Sequence, residues 1–198
     1  MAEEYVGVKF QIEDNAIEKK PAANKSNRDA ILEMILCARI LSGHGLAPST
    51  TGNISIRTKN GILIKATACE MGKLKLGDFT LVKEIDLESF KLKKAKGLRI
   101  PSSETPMHYL IYEKRKDVNS IIHVHDETLS KKEVYEKLKI NCTEKELPYG
   151  SKESAEAAVE VLGKNKIAIL KNHGVVSVGR SISEAMENIL KMHDEINL

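Results

Sequence analysis

The sequence predicts an α/β fold in which helices cover a mixed, largely antiparallel sheet. Helical and strand-like patterns are interspersed along the chain instead of being sorted into halves. The strand runs are short, and some sit close enough to pair as hairpins, the clearest turning at Asn60-Gly61. With 198 residues, 41% hydrophobic and 30% charged, the chain can bury one substantial core without covalent staples.

The elements follow in order. Residues 1–25 are expected to form an N-terminal extension to a domain spanning residues 26–198. Glu18 to Asn24 is a polar joint with a helix-breaking proline, while Tyr5, Val8, Phe10 and Ile12 include an alternating set that can lie against the body. A helix is expected after Ser26, with Ser26 and Asp29 at capping spacing. Ile31, Ile35, Ala38 and Leu41 share one face, and Gly43 and Gly45 end it. Ile54 and Ile56, then Ile62 and Ile64, alternate with other residues as the two arms of the hairpin, and Phe79 to Ile85 reads as a further strand. Lys91 to Arg99 is basic, the pattern of a solvated strand edge or loop more than of a binding patch. Thr105-Pro106 starts a helix, since proline suits the first helical position. Ser120 to His125 is a buried strand. Ser130 and Glu133 have the spacing of a capping box, Ser151 to Leu162 is a helix closed by Gly163, and Ile167–Leu170 and Val175–Val178 are short strands. Ser181 and Glu184 cap a last helix with Ile182, Met186, Ile189 and Ile196 on its core face.

Composition narrows the function. A net charge of +3 with no tryptophan offers neither the basic field nor the stacking surface of a nucleic-acid binder. No apolar run approaches the length of a membrane span, and with the acidic start Met1-Ala2-Glu3-Glu4 and no apolar stretch after it, no signal peptide is expected. Cys37, Cys69 and Cys142 are odd in number and contain no CxxC pair, so free thiols in a reducing, cytoplasmic setting are expected.

The chemistry gathers on histidine. His123 and His125 stand at i and i+2 of an apolar strand, so their imidazoles point to one face. Two titratable groups there are costly to bury without partners, which a metal ion can supply; a hydrogen-bonded core pair remains the alternative. His173, on the turn Asn172-His173-Gly174, would complete a three-histidine site with an open fourth position. His44, His108 and His193 belong to helices or their flanks and are expected to be structural, and Asp126 should face away from the pair. Glu104 precedes the helix at Thr105; taken alone, such a carboxylate is a complement to the helix dipole, but beside a metal it could move a proton. Ser49-Thr50-Thr51-Gly52-Asn53 is a polar loop of the kind that can hold an oxyanion, or a plain turn.

Together, Thr51-Gly52-Asn53-Ile54-Ser55, Pro101-Ser102-Ser103-Glu104, Ile121-Ile122-His123-Val124-His125 and Asn172-His173-Gly174-Val175 resemble the class II aldolase/adducin family, in its order and over about residues 30–195. The resemblance implies a three-layer α/β/α fold around a mostly antiparallel mixed sheet, and a homotetramer with sites between adjacent subunits. It implies Zn2+, or another divalent metal, on His123, His125 and His173. It puts Glu104 at the catalytic carboxylate and Thr50, Gly52, Asn53, Thr67, Ser102 and Ser103 at positions that hold substrate phosphate. The implied reaction is cleavage of a phosphorylated ketose such as L-fuculose 1-phosphate to dihydroxyacetone phosphate and an aldehyde through an enediolate. A 4-epimerase of L-ribulose 5-phosphate and a sugar-acid phosphate decarboxylase share the framework, and adducin-like members keep the fold as binding modules without catalysis. The small-molecule sugar phosphate is thus the expected partner, with neither nucleic acid nor membrane.

Three departures from the family pattern stand out. Its Thr-Pro-Ser/Thr-Gly turn is replaced by Lys65-Ala66-Thr67-Ala68, which puts the backbone turn in question. The stretch between His125 and His173 is short; in the family it supplies a tyrosine that protonates the aldehyde-derived oxygen, and neither Tyr135 nor Tyr149 aligns with it. The chain also ends soon after its last helix, leaving little tail to close a site.

Overall fold

The structure is a computed structural model that describes residues 10–196; Tyr5 and Val8 lie outside the described residues. A single sheet runs through it. Gln11–Ile12 (β1) and Ile17–Glu18 (β2) are two-residue strands on one edge, and Arg28–Gly43 (α1) follows. Asn53–Thr58 (β3) and Gly61–Lys65 (β4) form the expected hairpin. Phe79–Asp86 (β5) and Lys91–Gly97 (β6) form a second. Thr105–Lys114 (α2), Ser120–Val124 (β7), Lys132–Lys137 (α3) and Lys152–Leu162 (α4) come next. Ile167–Leu170 (β8), Gly174–Gly179 (β9) and Ile182–Asp194 (α5) complete the chain.

The strand order is β1-β6-β5-β4-β3-β7-β9-β8, with β2 also on β6. Among the described strands only β1 and β2 pair in parallel, so the sheet is mixed and mostly antiparallel. Alternation along the strands divides the core into two. Ile54, Leu63, Leu81, Ile122 and Val124 pack beneath α1 and α5, whose Ile31, Leu41, Ile182 and Ile189 join the same cluster. Ile62, Ile64, Val82, Ile121 and Val176 pack on the opposite face with Met107 and Ile111 of α2 and Ala155 and Leu162 of α4. These are the three layers the family resemblance implied.

The extension lies against the body, as its alternating set allowed: residues 11–18 add to the open edge of β6, and Phe10 and Ala16 are buried in the second cluster. Two helix starts need correction. The α1 cap at Ser26 does not form. Asn27 occupies that position, and its amide turns back to the incoming chain, donating to Ala22 O and accepting from Asn24 N. The Ser130 box is also absent: α3 begins after Lys131, and Ser130 N–H donates to Asp126 O. By contrast Ser151 and Ser181 cap α4 and α5 through Ser154 N and Glu184 N. The hairpin loop is Lys59-Asn60, with Gly61 opening β4 at φ +128. All three cysteines are free, and no helix among the described residues is long and apolar enough to cross a membrane.

Gly61 has a specific physical role. Any β-carbon there would collide with the backbone carbonyl of Val82 on β5. The Gly61→Ala variant should therefore lose about 1–3 kcal/mol of stability, the usual cost of forcing a side chain into such a backbone region. Urea denaturation should give a lower midpoint; an unchanged midpoint would mean the hairpin relaxes without cost.

Candidate metal and proton-transfer site

The site sits where β3, β7 and β9 end together. Antiparallel register sets Asn53 of β3 directly opposite His123 of β7, and His123 opposite Val176 of β9. His125 lies just beyond β7, tied by its N–H to Leu46 O at 2.9 Å, and its ring centroid stands 4.9 Å from that of His123. His173 arrives on the turn between β8 and β9. Asn172 adopts φ +54, a left-handed conformation that asparagine tolerates, and its amide bonds to Glu146 at 2.7 Å. A β-carbon at Gly174 would overlap Val124 O and press on the His123 ring, so the turn closes onto β7 only because glycine is there.

The result is three rings with centroids 4.6, 4.9 and 5.1 Å apart. One ligand nitrogen from each lies within 4.8 Å of the others, a group that could hold a metal ion. The residues fit that role chemically. Nδ1 of His123 is 3.0 Å from Val175 O, and a carbonyl only accepts, so Nδ1 carries the proton. That leaves Nε2 with an outward lone pair, and it is buried with no hydrogen-bond partner among the described residues. Burial, then the neighbouring imidazoles, holds His123 well below its ordinary value of 6.5; burial and His173 bring His125 to about 4. Both rings are therefore in the neutral form that a metal requires.

Glu104 lies against this triad. It occupies the N-cap position of α2, yet its side chain makes no cap hydrogen bond. It turns instead into the site: Oε2 accepts from Asn53 Nδ2 at 2.7 Å and stands 3.4 Å from His123 Nε2, and Oε1 stands 3.4 Å from His173 Nε2. The helix-dipole reading of this carboxylate thus gives way. Asp126 serves structure, as expected, accepting from Thr128 N, Leu129 N and His193 Nδ1. His108 is structural too: its Nδ1 meets Ser55 Oγ at 2.7 Å, Ser55 meets Tyr112 at 2.9 Å, and burial takes His108 to about 4.

The polar segments singled out in the sequence converge beside Glu104. Gly52 and Asn53 are buried, Thr50 and Thr67 exposed, Ser102 buried and Ser103 half-buried. Ala66 bridges Pro101, and Thr67 N–H donates to Ile100 O, which brings the 65–68 turn beside the Pro-Ser-Ser-Glu segment. That turn survives without its glycine, because Ala68 itself takes φ +55. Of the two tyrosines in the shortened stretch, Tyr135 packs at the edge of the α1–α5 core, whereas the ring of Tyr149 stands 6.1 Å from that of His173. Lys65 was missed as a site residue. It is 2% exposed, and burial lowers its ammonium to about 8. A charge inside the run Ile62-Leu63-Ile64-Lys65-Ala66 was the available signal.

A model of the Class II Aldolase and Adducin N-terminal domain family matches residues 32–196. The chain belongs to this family. It is 32% identical over 167 residues to an L-fuculose phosphate aldolase of Methanococcus maripaludis, covering 78% of this chain and 87% of that protein. It is 27% identical over 168 residues to a 5-deoxy-D-ribulose 1-phosphate aldolase of Bacillus thuringiensis, covering 77% and 76%. A sugar-phosphate aldolase from Thermotoga maritima shares the class II aldolase fold, with TM-score 0.72 and 23% identity over 85% of this chain and 92% of that one.

The buried imidazoles link stability to pH. His108 and His125 titrate at about 4 in the folded chain against an ordinary 6.5, and burial holds His123 well below that ordinary value too. Below 6.5 the unfolded chain takes up protons that the folded chain does not, so stability falls as pH drops from 6.5 toward 4. Melting temperatures of the chelator-treated protein should decline across that window. A Tm that holds constant down to pH 4 would contradict the burial assigned to these rings.

Proposed function

We propose that this chain is a zinc-dependent class II aldolase that cleaves a phosphorylated ketose to dihydroxyacetone phosphate and an aldehyde. The observation that carries the reading is the Glu104 carboxylate within 3.4 Å of His123 and His173 and free of any capping duty. A phosphorylated ketose is common to the names of the two relatives, so a substrate of the L-fuculose 1-phosphate or 5-deoxyribulose 1-phosphate kind is the one proposed.

His123, His125 and His173 would hold the divalent cation, which supplies Lewis acidity for the negative charge that gathers on substrate oxygen. In the condensation direction Glu104 takes a proton from the hydroxymethyl carbon of dihydroxyacetone phosphate. That carbon forms the new bond to the aldehyde carbon, and the aldehyde oxygen accepts a proton to become a hydroxyl. Tyr149 is the phenol we assign to that second transfer, on the strength of its ring lying beside His173. Cleavage runs the same steps backwards. Asn53 holds Glu104 through Oε2, which keeps the carboxylate turned toward His123 and His173 rather than its own helix. Thr50, Gly52, Asn53, Thr67, Ser102 and Ser103 are assigned to the substrate phosphate, which contributes binding energy remote from the reacting carbons. Assembly as a homotetramer with sites between subunits fits the exposed side chains Leu32, Leu36, Leu98 and Ile100.

Glu104→Gln keeps the shape and the Asn53 contact but deletes the proton-transfer group. It should retain metal and lose about 10²-fold or more in turnover, the usual contribution of a general acid–base. His173→Ala should instead lose metal on dialysis. Release of dihydroxyacetone phosphate from a panel of phosphorylated ketoses, with elemental analysis alongside, reads both. Parent-level turnover by Glu104→Gln, or unchanged metal in His173→Ala, would refute the assignments.

Tyr149→Phe removes one oxygen and little volume. It should slow carbon–carbon bond making while leaving Glu104-driven exchange of the dihydroxyacetone phosphate carbon-bound proton with solvent deuterium largely intact. Equal loss of both rates would mean that Tyr149 shapes the site and donates no proton.

A further inference from the structure

A row of polar side chains joins β3 to α2. Asn53, Ser55 and Arg57 alternate along β3 and so share one side of the sheet. Each meets a successive turn of the helix. Asn53 donates to Glu104; Ser55 Oγ stands 2.7 Å from His108 Nδ1 and 2.9 Å from Tyr112 Oη. Arg57 donates to the carbonyls of Tyr112 and Arg115, with its guanidinium 4.8 Å from the centre of the Tyr112 ring. Alternate residues of a strand repeat every ~6.8 Å and residues four apart on a helix every ~6 Å, so the two rows stay in step over three rungs.

The middle rung lies wholly inside the protein. Ser55 and His108 are 0% exposed and Tyr112 is 1% exposed. Burial holds His108 well below its ordinary value and pushes the Tyr112 phenol up, so the rung is uncharged near neutral pH. His108 Nε2 is buried with no hydrogen-bond partner among the described residues. An imidazole with one nitrogen left over is a poor choice for cohesion, because apolar side chains of similar size would avoid its desolvation cost. What the rung adds is direction. Met107 and Ile111 hold α2 to the sheet by apolar contact, which is non-directional and tolerates a small roll of the helix. Hydrogen bonds of 2.7 and 2.9 Å do not.

Glu104 depends on that roll. Its side chain makes no bond to its own helix, so its aim is set by Asn53 and by how α2 is turned about its axis. His108 lies one turn further along the same face.

We propose that the rung of Ser55, His108 and Tyr112 is the positioning device of the Glu104 carboxylate, fixing the roll of α2 so that the carboxylate faces the histidine triad. The three residues act through Glu104 and not on substrate. The inference rests on the role given to Glu104 in the aldolase reading above.

The test uses the full chain with its metal content measured, as parent, His108→Leu, Ser55→Ala and His108→Asn. His108→Leu removes the ring nitrogens at similar volume, Ser55→Ala removes both hydrogen bonds of the rung, and His108→Asn keeps a polar atom where Nδ1 stands. Exchange of the carbon-bound proton of dihydroxyacetone phosphate with solvent deuterium is followed, and each crystal structure is determined. In folded His108→Leu and Ser55→Ala the exchange kcat should fall at least about tenfold, the scale of a small misplacement of a reacting group, with KM within twofold and metal unchanged. Their structures should show the Glu104 carboxylate beyond hydrogen-bond distance of Asn53. His108→Asn should recover most of the lost rate. A role in stability alone would lower Tm and leave the kcat of the folded protein at the parent value. If His108→Leu fails to fold, Ser55→Ala, which removes a single oxygen, decides. A folded variant lacking the rung that exchanges within twofold of the parent, or that keeps Glu104 on Asn53, overturns the proposal, and so does His108→Asn as slow as His108→Leu. A parent that exchanges no proton, alongside a displaced carboxylate in the variants, would sink the aldolase reading and leave the positioning role standing.

Discussion

The ends of β7 and β9 approach each other so closely that a side chain at Gly174 has nowhere to go, and the candidate centre depends on that approach. A methyl group there would displace the turn from Val124 and from the His123 ring, and His173 would move with it. The cost of glycine is conformational freedom lost on folding, roughly 1 kcal/mol against alanine. What it secures is the junction of two elements far apart in sequence, so that three imidazoles share one small volume. The neighbouring Asn172 at φ +54 belongs to the same constraint. The chain must reverse within a residue or two of β8 while keeping His173 pointed at β7, and a left-handed residue achieves that.

Electrostatic balance follows from this convergence. Burial first, and then the neighbouring imidazoles, disfavours the charged forms of His123 and His125, and the cluster leaves a place where positive charge would be well received. Glu104 faces that place with one oxygen held by Asn53. Lys65 lies behind, at the junction of the polar loops. Imidazoles, carboxylate and ammonium thus stand close together, and the carboxylate offsets part of the cost of burying the ammonium. An assembly of this kind is expensive for a core and ordinary for a catalytic site.

Much of the layout was legible because periodicity reports faces. The i, i+2 spacing of His123 and His125 on an apolar strand could only put both rings on one side, and the turn at Asn172-His173-Gly174 was marked by its flanking apolar strands. Caps were less reliable. Ser151 and Ser181 bind their own helices, whereas the turns at Ser26 and Ser130 are organised by Asn27 and Asp126, and bonds of that kind are invisible to spacing. The edge strands β1 and β2 were legible only as an alternating set able to lie against the body, since two residues are too few to fix a strand or its partner. Glu104 is the instructive case: position before a helix argued for a dipole complement, and only the register that sets Asn53 opposite His123 shows what draws the carboxylate away.

Lys65 escaped notice for a related reason. A lone charge at the end of a strand is usually solvated, its stem lying along the surface and its head in water. Here β4 runs in the middle of the sheet between β3 and β5, with the 50–53 loop and the 102–103 segment folded over its end, so the side chain is almost wholly buried. The replacement of a proline-glycine turn by Lys-Ala-Thr-Ala is therefore one change and not several. Losing the residues that shape a turn by their own backbone limits demands some other device to hold it, and a side chain long enough to reach across to Cys69 O is such a device.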